Sequence, residues 1–137
     1  MSDSMSFKID TIHMKMLLLV CALFLSPLQD ETLKNISTAI KAGSSKELIK
    51  FCNETVEIKI NGESSNYSRT QAEVILRDFF SKNAPKSFNY IHQGAAPEGL
   101  KYTIGRLASE KGAYRVVMFI KKIGDKYLID TLNFSQE

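Results

Sequence analysis

The chain has no tryptophan, two cysteines and three prolines among 137 residues. So few cysteines exclude a disulfide-dense secreted scaffold and leave too few thiols for a zinc site built from four cysteines. Seven glycines and three prolines exclude collagen-like and low-complexity chains. Neither sign of charge dominates: 18 basic against 15 acidic residues give a net +3. That balance makes no case for a nucleic-acid partner. No apolar run approaches the roughly 18 residues that a membrane span needs. Gly-rich phosphate loops, nucleophile elbows and spaced metal ligands are missing too, so no metal or cofactor is expected. What is present is a 44% hydrophobic chain of single-domain length, short for a two-domain enzyme.

The longest apolar run is Met16 to Leu25, MLLLVCALFL, behind Lys15 and ahead of Ser26-Pro27-Leu28-Gln29. A basic residue, a ten-residue apolar core and a short polar exit read as a secretory signal peptide over residues 1–29. Met14-Lys15 would make a better start than Met1, so the true start is expected near Met14. A buried N-terminal helix is the alternative. Lipidation at Cys21 is disfavoured, because Val20 before it is not small and the apolar run continues past it. Export to the periplasm or the exterior is therefore expected, with no transmembrane segment after processing. Without residues 1–29 the net charge is unchanged, since Lys8 and Lys15 leave with Asp3 and Asp10. Cys21 leaves as well, so residues 30–137 hold Cys52 alone and no internal disulfide.

Over residues 30–137 helical spacing is concentrated in the first half and strand alternation in the second. Asp30 is placed to cap a helix whose stripe is Leu33, Ile36 and Ile40, with Gly43 beyond its end. Ser44 with Glu47, and Ser68 with Gln71, are spaced as capping boxes of two further helices. The second of these buries Ala72, Ile75, Leu76 and Phe79 and stops at Asn83-Ala84-Pro85. Between them Val56, Ile58 and Ile60 alternate with Glu57 and Lys59, and Asn61-Gly62 signals a hairpin. After Lys86 four segments alternate: 87–93, 101–109, 113–123 and 126–134. Helices early and strands late predict an α+β domain with an antiparallel meander.

These residues resemble the nuclear-transport-factor-2-like (cystatin-like) superfamily. The likeness is carried by Ile36 to Gly43, Tyr67-Ser68, Gln71-Ala72-Glu73, Asp78-Phe79-Phe80, Pro85 to Phe88, His92-Gln93-Gly94 and Lys126 to Ile129. The resemblance implies three helices packed on a strongly curved antiparallel sheet, a cone that can hold a pocket. More narrowly, the chain is similar to an uncharacterised family of small exported Bacteroidetes domains of unknown function. That likeness implies export and no assigned activity.

Counting back from hairpin turns at Gly124-Asp125 and Lys111-Gly112 divides the sheet into two faces. One holds Tyr102, Ile104, Arg106, Val117, Phe119, Leu128, Asp130, Leu132 and Phe134. The other holds Thr103, Gly105, Leu107, Val116, Met118, Ile120, Ile129 and Thr131. The bulkier first set is expected to line the cone, and the flatter second set to form an open face for a homodimer. A slip of one residue would exchange them. Tyr102, Arg106, Phe119 and Asp130 are then the ligand-pocket candidates. Asp130 stands among Leu128, Leu132 and Phe134, where an unpaired carboxylate is costly. Arg106 is its diagonal neighbour in this register.

Two functions fit. The first is an exported, non-catalytic domain that binds a small ligand or an envelope protein, without nucleic acid, cofactor or metal. The second is a small pocket enzyme with Asp130 as base and His92 or Tyr102 assisting. It follows the isomerases and dehydratases of the superfamily, which use an Asp or an Asp–His pair in the cone. An ion-paired Asp130, an exposed His92 and a buried, inert Cys52 are the plainer readings of the same residues.

Overall fold

The computed structural model describes residues 28–137. The predicted signal peptide lies almost wholly outside the described residues. Helix α1 spans Leu28–Lys41, so Asp30 sits within it and is not its cap. Gly43, at φ 61°, closes the helix end in a left-handed turn. There Ser44 N bonds Ala39 O and Gly43 N bonds Ile40 O, the paired bonds of a Schellman cap. Helix α2 is a single turn, Ser45–Leu48. Only half of its expected box forms: Ser44 Oγ accepts from Glu47 N at 3.2 Å, while the Glu47 carboxylate is taken by Lys50 at 2.9 Å. Helix α3, Arg69–Lys82, has the complete box between Ser68 and Gln71.

Six strands follow the order β2-β1-β6-β5-β4-β3 across one sheet. They are β1 Cys52–Ile60, β2 Glu63–Ser68, β3 Pro85–Ala95, β4 Leu100–Ser109, β5 Gly112–Ile123 and β6 Lys126–Gln136. Asn61 (φ 48°) and Gly62 (φ 91°) form the two-residue turn between β1 and β2. The late strands make the expected meander. One pairing corrects the all-antiparallel expectation: β6 runs parallel to β1. The meander returns its last strand beside the first, so the sheet is mixed.

The two faces also differ from expectation. Turn counting holds as far as Ile120 opposite Ile129, but the next pair is Phe119 opposite Thr131. Asp130 is therefore an extra residue, and the β1–β6 pairing shifts at the same place. Such a bulge advances the parity of the strand by one. The β4–β5 turn falls at Glu110-Lys111, which moves that pairing by two residues and keeps its parity. The set expected to be open, Leu107, Val116, Met118, Ile120 and Ile129, is fully or almost fully buried. Beyond the bulge Leu132 and Phe134 join it. Met118 and its neighbours therefore form no dimer surface. The opposite face carries Tyr102, Ile104, Arg106, Val117, Phe119 and Asp130, which are half-buried or exposed.

The interior is filled by side chains. Phe79 of α3 meets Phe134 at 4.3 Å, Tyr114 at 5.1 Å and Phe80 at 5.6 Å between ring centres. Leu76 and Phe88 are buried in the same core, along with Ile36 and Ile40 of α1. Each such side chain contributes roughly 1.5–3 kcal/mol by leaving water.

Candidate functional site

Between the β1–β2 hairpin and the C-terminal half of α3 lies a cleft of about 510 Å³. Its base is made by side chains that are themselves buried: Ile58 on β1, Phe79 on α3, and the pair Asn83 and Tyr114. Exposed polar groups ring it, chiefly Glu63, Ser65, Asp78 and Lys82. Helical spacing places Asp78 and Lys82 together, with Nζ 3.0 Å from Oδ2.

The polar base has a local origin. Asn83 follows the last turn of α3, and its Nδ2 donates to Phe79 O at 3.1 Å. Its Oδ1 accepts from Tyr114 Oη at 3.1 Å. Tyr114 lies on the buried parity of β5, two residues before Val116. A phenol there needs a partner for its hydroxyl, and Asn83 supplies it. This is a size typical of small-ligand sites, with an apolar base and a few placed polar groups. It holds no histidine or cysteine. Among the described residues no three His, Cys, Asp or Glu side chains converge to hold a metal ion. The arrangement is suited to holding a ligand.

The residues singled out from the sequence stand elsewhere. Asp130 Oδ2 bonds Lys121 Nζ at 3.1 Å on the face opposite the core, outside the cleft. Asp130 does not line that cleft, and the ion pair is the plainer of the two readings its sequence position offered. Arg106 is not its neighbour: Arg106 Nε donates to Glu137 Oε2 at 2.9 Å. Phe119 is 39% exposed and faces Tyr102 across β4 and β5. One candidate pair does meet: His92 Nε2 and Tyr102 Oη are 3.1 Å apart. Tyr102 also lies so close over Gly94 that a Cβ there would be 2.3 Å from its ring.

Two buried titratable groups lie away from the cleft. Cys52 is sealed at the start of β1, and burial pushes its thiol up to about 12 despite Arg69 nearby. Tyr90 donates its hydroxyl to Leu33 O at 2.6 Å, and burial raises its pKa. Asn83, Tyr114, Glu63 and Asp78 were not singled out as site residues from sequence. The available signal was an Asn at a helix end and a Tyr on a buried strand parity.

A family model described as a domain of unknown function, DUF4783, matches residues 33–135. Among curated proteins none matches. The crystal structure of a DUF4783 family protein from Bacteroides ovatus is 36% identical, with a TM-score of 0.72. The match covers 75% of this chain and 93% of that one. A DUF4783 family protein from Bacteroides uniformis is 31% identical, covering 76% and 95%, also at 0.72. A nuclear-transport-factor-2-like protein of unknown function from Burkholderia xenovorans is 14% identical at a TM-score of 0.59, covering 79% and 83%. That last likeness is one of fold alone.

Proposed function

Because the chain belongs to the DUF4783 family, which is described only as a domain of unknown function, we propose its role from its own geometry: a non-catalytic binding module. Its ligand seats in the cleft between the β1–β2 hairpin and α3. The observation that carries this reading is the open volume of about 510 Å³ over the hydrogen-bonded Asn83–Tyr114 base. Away from the cleft the core is mostly aliphatic, with Ile36, Ile40, Leu107, Val116 and Ile129 buried together.

The cleft combines an apolar base with carboxylates on its rim, so a small aromatic cation is a suitable probe. Titrating the full, isotope-labelled chain with benzamidine is expected to shift the amides of Ser65, Tyr67, Asp78 and Asn83. Ser65→Trp, which fills the mouth, is expected to abolish those shifts. Shifts confined to other surfaces, or none at all, would refute the cleft as the binding site.

Export is part of the same proposal. Its support is the sequence Lys15 followed by MLLLVCALFL. N-terminal sequencing of protein recovered from the cell envelope is expected to find a start near residue 30. An intact Met1 there would count against cleavage.

A further inference from the structure

β2 is an edge strand of the sheet, and it contains no bulge, proline or lysine. Bulges, prolines and lysines blunt an edge against incoming strands. The opposite edge, β3, begins with Pro85-Lys86 and breaks register at Pro85–Ser87 and Tyr90–His92. β2 reads Glu-Ser-Ser-Asn-Tyr-Ser and pairs with β1 without a break from Glu63 to Ser68.

The turn decides which backbone groups are open. A two-residue turn at Asn61-Gly62 makes Ile60 and Glu63 a hydrogen-bonded pair. Alternation then points the backbone N–H and C=O of Ser65 and Tyr67 toward β1, and those of Ser64 and Asn66 toward the free edge. Side chains alternate between faces. Glu63, Ser65 and Tyr67 stand opposite Ile60, Ile58 and Val56 and line the cleft. Ser64 Oγ is on the other face, bonded to Glu57 Oε1 at 2.6 Å. A strand added to this edge would bring every second side chain over the cleft mouth.

Charge selects what that strand carries. Asp78 is already paired with Lys82, whereas Glu63 has no cationic partner among the described residues. A second copy of the chain would offer its own β2, which contains no basic residue to meet Glu63. We infer that the occupant is an extended segment of a partner protein that adds to β2. It lays a basic side chain against Glu63 and, two residues along, an apolar one over Ile58 and Phe79. The inference rests on the cleft being the binding site.

The test uses the full chain and two peptides, acetyl-Thr-Thr-Lys-Thr-Leu-Thr-Thr-amide and the version with Lys and Leu exchanged, which covers both strand directions. One of them is expected to shift the Ser64 and Asn66 amides together with Ser65. Glu63→Gln should weaken it by about three- to fivefold, as for an exposed ion pair. N-methylating the threonines that flank Leu and Lys in the antiparallel Leu-Thr-Lys peptide, or Lys and Leu themselves in the parallel Lys-Thr-Leu peptide, should weaken it by at least about tenfold, through lost backbone bonds. An N-methylated peptide that binds equally well would overturn the strand addition and leave the cleft standing. Benzamidine binding without peptide binding would do the same. Failure of both probes would overturn the cleft as well. A dimer in solution whose Ser64 and Asn66 amides are protected from exchange would show that the edge belongs to a second copy, and would also overturn the inference.

Discussion

Gly105→Ala is expected to destabilise the domain, although Gly105 has no left-handed backbone to protect. A Cβ at this position would lie 2.5 Å from Cε2 and Cζ of Phe88 and 3.2 Å from Asn89 O. Ordinary contact begins at 3.4 Å, so the ring must retreat by about 1 Å in a packed interior. It has nowhere easy to go. Phe88 is fully buried and stands edge-on to Tyr90 at 5.2 Å. Tyr90 is in turn tied to α1 through Leu33 O. Overpacking of this kind costs about 1–3 kcal/mol. Stiffening the unfolded chain by Gly→Ala returns about 0.4–1 kcal/mol. The net loss should be about 1–2 kcal/mol, a fall in Tm of roughly 4–16 °C for a domain of this size. Urea denaturation of Gly105→Ala, Phe88→Leu and the double variant would measure it. Leucine makes room for the new methyl, so the double variant should be more stable than the sum of the singles by at least about 1 kcal/mol. A neutral Gly105→Ala, or strictly additive costs, would refute the close approach of Phe88 as the reason for glycine.

Three further outcomes follow from the same packing. Tyr114→Phe leaves buried Asn83 Oδ1 without its donor and should cost about 1 kcal/mol in urea denaturation; no measurable loss would mean that the base of the cleft is hydrated. Asp130→Ala should change stability by less than about 0.5 kcal/mol, because its bond to Lys121 is solvent-screened; a loss above about 2 kcal/mol would place that carboxylate in the interior. Stability should hold through neutral pH and fall in alkali: Cys52 is raised from 9.0 to about 12 and Tyr90 is raised as well, so the folded chain keeps protons that the unfolded chain releases. Loss is expected as pH climbs from 9 toward 12, and the Cys52→Ala, Tyr90→Phe double variant should show less of it in a pH series of denaturation curves.

Much of the fold was legible because its signals are local. The Ser68–Gln71 box, the Asn61-Gly62 turn and the Ala72–Leu76–Phe79 stripe each specify a neighbour within a few residues. The resemblance to the nuclear-transport-factor-2-like superfamily was carried by fold-forming positions too, Ser68, Gln71, Ala72 and Phe79 among them. The parallel contact between β1 and β6 joins residues more than seventy positions apart, such as Ile58 and Leu132, and no local pattern encodes it. The cleft was hidden for the same reason. Its base joins Asn83, which reads as a helix stop, to Tyr114, which reads as one more strand aromatic. Only the packing of α3 over β5 makes them a pair.

Asp130 misled for a subtler reason, and the bulge explains it. Parity counting assumes that every residue of β6 has a partner, and Asp130 has none in either register. Its placement among Leu128, Leu132 and Phe134 would, by that count, bury a carboxylate. The extra residue instead turns Ile129, Leu132 and Phe134 to the core and leaves Asp130 and Thr131 on the other side. The costly burial that made Asp130 conspicuous is thereby avoided, with Lys121 within reach. A lone acid amid an alternating apolar run can thus mark the place where the alternation breaks. Asp130 marks the bulge of β6, and the cleft proposed for the ligand lies instead beside β2, where Glu63 stands with no cationic partner among the described residues.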